Sequence, residues 1–153
     1  MTATINSDAS HYADYKVGAY AFWISTAKGR IRKAGALKGE VYSSNEAEFK
    51  SILNGLHTLY NAKLGDITDI YINTDSRMVI RVLKENSNSP WCVDLIKAYN
   101  EITGKLNANI ILRHVKGHLH TKTPRHWVND WCDTEAKRHA KAEIKKRFGI
   151  QKK

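Results

Sequence analysis

The sequence predicts an α/β fold: a single mixed sheet of five strands, three antiparallel strands first and parallel strands after, flanked by helices. Three observations carry that expectation. The chain opens with strand-like segments separated by turn residues. At Asn45 the apolar spacing changes to the helical pattern of threes and fours. Beyond that helix, short apolar strands alternate with helical segments, which is the pattern of parallel strands joined by right-handed crossovers.

Taken in order, "TATINSDAS" begins with alternation and β-branched residues and then meets a polar turn, so a strand is expected over residues 2–10, ending near Asp8. "VGAYAFWIST" and "GRIRKAGAL" are the next two strands, joined at the turn signal of Lys28 and Gly29, and the three form a meander. Phe49, Ile52, Leu53, Leu56, Leu59 and Tyr60 lay an apolar stripe along a long helix. "DIYINTD" is a short strand ending on Asp75, and "SRMVIRVLKE" follows at once as a helix with Met78, Val79, Val82 and Leu83 on one face. "NSNSP" interrupts the pattern, Cys92, Leu95, Ile96, Tyr99 and Ile102 mark another helix, and "NANIILRHV" is the last strand. The final helix starts after Pro124 and runs towards Phe148, its basic end suited to the helix dipole. The order is βββαβααβα in one domain over residues 1–153, with a basic C-terminal helix and tail from about 141 and no linker dividing it.

With 153 residues, 42% of them hydrophobic and 26% charged, the chain can bury a core and does not have the composition of a disordered segment. "MTATINSDAS" lacks the basic-then-apolar pattern of a signal peptide, and no run of about 18 apolar residues occurs, so a cytoplasmic protein is expected. Cys92 and Cys132 are too few for a disulfide framework or a paired-cysteine metal ribbon. The formal charge of +10 points to a polyanionic partner, above all nucleic acid. Nothing calls for an obligate protein partner, and a monomer is expected.

Acidic residues at strand ends draw attention because ligands gather at the carboxyl ends of strands in open α/β sheets. Asp8 and Asp75 meet that test, although Asp8 could close an Asx-turn and Asp75 could N-cap the helix after it. At the start of the first long helix periodicity leaves Glu46 and Glu48 open: Asn45 with Glu48, or Ser43 with Glu46, would make a capping pair. Asp130 and Asp133 both lie in the first turns of the last helix, where Asp133 borders the face of Val128, Cys132, Ala136 and Ala140 more closely. Clustered carboxylates repel and raise one another's pKa, which implies cations, Mg²⁺ or Mn²⁺ by their preference for oxygen ligands. Two such ions suit hydrolysis of a phosphodiester.

"NSDAS", "SSNEAEF", "INTDS", "HVKGH" and "NDWCDTEAK" resemble, in order, the motifs of type 1 ribonuclease H, over nearly the whole chain. The resemblance implies the ribonuclease H-like fold, with a five-stranded mixed sheet. It implies a metal-dependent endonuclease that cleaves the RNA strand of an RNA/DNA hybrid and leaves 5′-phosphate and 3′-hydroxyl ends. By motif it places two Mg²⁺ ions, with Mn²⁺ as substitute, on Asp8, Glu48, Asp75 and Asp133. It points to His118 for proton transfer and product release, to Asn45 as a 2′-hydroxyl contact beside Ser43 and Ser44, and to Arg77 where the family often has glutamine. Two departures stand out: Ala9 follows the first acid where the family has glycine, and the short stretch before "VKGH" leaves no room for the basic handle of some members. The expected grip moves to "KGRIRK" or to Lys141, Lys145, Lys146 and Arg147, and His120 and His126 compete with His118 in a lengthened loop.

A zinc site built from His114, His118, His120, His126 or Cys132 is disfavoured because none of the usual paired spacings is present. A related nuclease with another nucleic-acid substrate, or a non-catalytic hybrid-binding module, are the rival functions; the presence of all four acids argues against the second.

Overall fold

The computed structural model describes residues 1–115 and 124–149, with backbone only at 124–126. β1 (Thr2–Tyr12), β2 (Val17–Thr26) and β3 (Gly29–Ala36) precede α1 (Ser44–Ala62); β4 (Asp69–Thr74), α2 (Arg77–Glu85), α3 (Val93–Leu106), β5 (Asn109–His114) and α4 (Pro124–Phe148) follow. The five strands form one sheet in the order β3-β2-β1-β4-β5. The β1–β2 and β2–β3 pairs are antiparallel, whereas β4 joins β1 and β5 joins β4 in parallel. The two-residue turn between β2 and β3 closes with Gly29 at φ +131°, a conformation that L side chains rarely adopt.

α1 and α4 cover opposite faces. On the α1 side Ala3, Ile5, Phe22 and Ile24 meet Phe49, Ile52, Leu56 and Leu59, with Ile70, Ile72 and residues of α2 and α3 completing the same core. Gly55 lets α1 approach β1 closely, because a Cβ there would stand 3.1 Å from Ile5 Cγ2. On the other side small residues let α4 lie against the first three strands: Cys132 and Ala136 pack on Ala21, and Ala140 and Ile144 on Val17 and Ala19.

One local expectation is corrected and one open alternative is resolved. β1 does not end near Asp8; it stays paired with β2 as far as Tyr12 opposite Val17. Only its partnership with β4 stops early, at Asn6 opposite Asn73. The first long helix is capped by Ser43, whose side chain accepts from the Glu46 N–H, and not by Asn45. Among the described residues no helix is long and apolar enough to cross a membrane.

Candidate active site

The parting of β1 from β4 makes the site. Asp8 lies two residues past the last β1–β4 pair, while β4 runs on through buried Thr74 to exposed Asp75. Ser76, not Asp75, caps α2, accepting from the Val79 N–H at 3.2 Å. Glu46 is likewise occupied: its carboxylate accepts from the Tyr42 N–H at 3.0 Å and pairs with Lys50 at 2.7 Å. Glu48, two residues on, is buried. Asp8, Glu48 and Asp75 each offer a carboxylate oxygen within 4.8 Å of the others, an arrangement able to hold a metal ion.

α4 supplies the opposite wall. Ser7, Asp8, Asp75, Val115, Asn129, Asp130 and Asp133 line one cleft, in which Asp130 is exposed and Asp133 half-buried. Asp133 Oδ2 accepts from Lys137 Nζ at 3.1 Å.

The electrostatics show the strain of this cluster. The Asp8 carboxyl is pushed up to about 7, by burial first and then by the charge of Asp75, with Asp133 adding to it. Burial raises Glu48 well above the usual carboxylate range, and the charges of Asp8 and Asp75 raise it further. The Ala9 N–H is shared between the pair, 2.9 Å from Asp8 Oδ1 and 3.1 Å from Glu48 Oε1. Among the described residues Glu48 Oε2 is buried with no hydrogen-bond partner. An unpaired acceptor of this kind costs about 1–3 kcal/mol. Ala9 itself sits in extended strand opposite Tyr20, packed near Leu37, Val41 and Ala47, so alanine fits where the family has glycine.

The residues expected to meet substrate stand beside the acids. Ser43, Ser44 and Asn45 form the N-terminal end of α1, and Ser76 Oγ donates to Asn45 Oδ1 at 3.3 Å. Arg77 opens α2, exposed, its Nε 3.4 Å from His114 Nε2. His118 and His120 lie outside the described residues, as does the side chain of His126. Cys132 is no zinc ligand: it is buried between Ala21 and Ala136, and its thiol points to the Asn6 carbonyl at 3.7 Å. Burial, then the charges of Asp8, Glu48 and Asp133, push that thiol well above its ordinary range.

Supporting groups escaped the sequence reading. Ser51 donates to the Asp8 carbonyl at 2.9 Å and accepts from Ser7 at 2.7 Å. Asn73 donates to Asn6 Oδ1 and accepts from Arg113 Nε, both at 2.8 Å, which ties β1, β4 and β5 together. The available signal was a polar residue within an otherwise apolar face or strand: Ser51 in the α1 stripe, Asn73 in "DIYINTD" and Arg113 in "NANIILRHV".

A family model for RNase H matches residues 2–141, a span that contains all four acids. The chain belongs to the RNase H family. Its fold is similar to that of RNase H1 from the halophilic archaeon Halobacterium salinarum NRC-1, with a TM-score of 0.71 at 15% identity over 91% of this chain and 97% of that one. It is similar as well to LC11-RNase H1 in complex with RNA/DNA hybrid, with a TM-score of 0.73 at 16% identity over 93% and 99%. The N-terminal RNase H domain of Rv2228c from Mycobacterium tuberculosis gives 0.70 at 18% identity over 92% and 99%. No curated protein sequence matches the chain. Family membership makes it a nuclease of the RNase H type, and the acid cluster is its candidate metal centre.

Proposed function

We propose that this RNase H-family nuclease cleaves the RNA strand of RNA/DNA hybrids by hydrolysis with two Mg²⁺ ions, Mn²⁺ substituting, and leaves 5′-phosphate and 3′-hydroxyl ends. The observation that carries the reading is the buried Glu48 Oε2, an acceptor with no partner, in a group of three carboxylates whose oxygens lie within 4.8 Å. Clustered oxygen donors that repel one another fit a hard divalent ion. Asp8, Glu48, Asp75 and Asp133 would hold the ions, which supply activation of water and neutralisation of the charge that develops on the phosphate.

The remaining steps belong to the chain. With its charge compensated, the Asp8–Glu48 pair releases its proton and offers every oxygen to the site. The first-turn N–H groups of α1, behind Ser43 and Ser44, favour a backbone phosphate through the helix dipole. Asn45 keeps its amide nitrogen for a ribose 2′-hydroxyl, the group that tells RNA from DNA, while its oxygen is occupied by Ser76. Arg77, exposed beside Asp75, grips a neighbouring phosphate, and His118 moves a proton or assists product departure. The chain's +10 charge and the fold shared with an RNase H1 solved on RNA/DNA hybrid support this choice of substrate.

The test incubates the protein with strand-labelled hybrid, duplex DNA and double-stranded RNA, each with Mg²⁺, Mn²⁺ or chelator. Cutting confined to the RNA strand of the hybrid, abolished by chelator and by Asp8→Asn, is expected. Equal cutting of another duplex would replace the substrate, and metal-dependent cleavage surviving in Asp8→Asn would overturn the metal assignment. His118→Ala should slow turnover without weakening Mg²⁺ binding in a titration.

A further inference from the structure

Outside the acid cleft, two arginines have aromatic partners and, among the described residues, no ion pair; the Glu135 carboxylate feels the charge of Arg32. On the α4 side of β3, Arg32 stands opposite Trp23 and Arg30 opposite Ser25, one step further along the same face. The Arg30 guanidinium lies 5.5 Å from the Trp23 ring centroid, and that of Arg32 lies 5.2 Å from Trp23 and 5.7 Å from Trp131. The two indoles meet edge to face at 5.6 Å. Among the described residues neither guanidinium makes a hydrogen bond or ion pair, and both residues are exposed. The nearby carboxylate, Glu135, is taken by Arg138 at 2.8 and 3.2 Å.

Three other basic residues are disposed differently. Lys33 stands opposite Phe22, on the α1 side of the sheet. Lys28 Nζ donates to the Leu64 carbonyl. Arg147 is held by Glu143 and by the carbonyls of Leu37 and Gly39. A guanidinium stacked on an indole has already lost much of its rotamer freedom, yet keeps in-plane N–H groups that match a phosphate. Two such groups side by side without a counter-ion repel each other, and an anion relieves that repulsion.

Their position says which anion. Asp8 pairs with Ala21, and Ala21 with Ala34; Trp23 and Arg32 are the next residues on that face. Two interstrand spacings and one two-residue step separate Asp8 from Arg32, about 12 Å between Cα atoms. α4 packs on Ala21 between them, so Trp131 and Asp133, two residues apart, flank that helix on opposite sides. A backbone that presents a phosphate to the acids reaches the arginines by passing over the first turns of α4.

We propose that Arg30 and Arg32, stacked on Trp23 and Trp131, bind two backbone phosphates of the nucleic acid whose scissile bond lies in the acid cleft. This second grip rests on the nuclease reading above and adds the path of the substrate away from the cut. Each phosphate contact contributes about 0.9 to the slope of log affinity against log salt, so removing two lowers the slope by about 1.8. Over a fourfold rise in salt, from about 50 to about 200 mM, Arg30→Gln/Arg32→Gln should then lose about twelvefold less affinity than the parent protein.

The measurement is binding of labelled RNA/DNA hybrid and duplex DNA in chelator across that salt range, with melting followed by circular dichroism. Arg30→Lys/Arg32→Lys keeps the charge but loses the stacked fork, and should retain most of the slope while binding more weakly. If the double Gln protein does not fold, Arg30→Gln alone should lower the slope by about 0.9. An unchanged slope in folded Gln variants overturns the surface, even where hybrid cleavage is intact. A slope that drops in a protein that does not cleave hybrid leaves the surface standing and overturns the substrate reading alone.

Discussion

α1 and α4 lie on opposite faces of one sheet and each delivers an acid to the cleft, but they are anchored by different means. α1 is set by bulky side chains, Phe49, Ile52, Leu56 and Leu59, all of them fully buried or nearly so. It brings Glu48 in as a buried carboxylate with one unpartnered oxygen. α4 is set largely by small residues, Cys132, Ala136 and Ala140, and brings Asp133 in half-buried and paired with Lys137. The buried acid is held by the core and stressed by it. The half-buried one is eased by solvent and by a lysine, which makes it the more adaptable ligand.

The largest effect that separates the two is on catalysis and stability together. Glu48→Gln should lower hybrid cleavage about a thousandfold, since loss of a metal ligand removes several kcal/mol of transition-state stabilisation. The metal-free variant should nonetheless melt higher than the parent, because an amide replaces a carboxylate repelled by its neighbours and unpartnered at one oxygen. Asp133→Asn should also impair cleavage but bring no gain in melting temperature, as it gives up the Lys137 contact. Equal gains from both would erase the distinction between buried and adaptable ligand. The packing can be tested next: Leu56→Ala should cost about 2–5 kcal/mol in denaturant unfolding. Ala140→Gly, where there is little side chain to lose, should cost about 1 kcal/mol.

A pH series sharpens the same contrast. The folded chain holds the Asp8 proton up to about 7, whereas the unfolded chain releases it near 3.8. Between those values the native state binds more protons than the unfolded one, so the stabilisation is complete at the acidic end and lost as pH rises towards 7. The melting temperature of the metal-free protein, relative to Asp8→Asn, should therefore be higher at pH 5 than at pH 8. Added Mg²⁺ should remove most of the difference, and a relative stability that is flat with pH would contradict the buried-proton account. The smallest effect concerns α4. Lys137→Ala removes a competing cation and should tighten Mg²⁺ binding by about twofold, the scale of an exposed helix ion pair, readable by calorimetric titration.

Long-period features were legible in the sequence because burial follows them directly. The α1 stripe and the apolar spacing of α3 each report one face of one element, and the structure puts those faces where the spacing requires. The misread points depend on contacts between distant segments. "SDAS" looks like a turn locally, yet β1 continues because β2 remains beside it, and what ends near Asp8 is its partnership with β4. "SSNEAEF" offers several residues able to cap a helix, and propensity does not choose among them. Ser43 becomes the cap, while Asn45 is turned to Ser76, 31 positions away. Lys137 was read as neither ligand nor neighbour because a cation one turn after an acid is ordinary on a helix surface.

The Ser76 hydroxyl receives the Val79 N–H at the start of α2 and gives its own proton to Asn45 at the start of α1. One oxygen thus pins two helix origins that belong to different crossovers of the sheet. Under the proposed function, the end of the molecule that senses the sugar and the end that carries the third acid cannot drift apart independently. Recognition of the strand and placement of the cut become a single mechanical unit with a hydroxyl as its rivet.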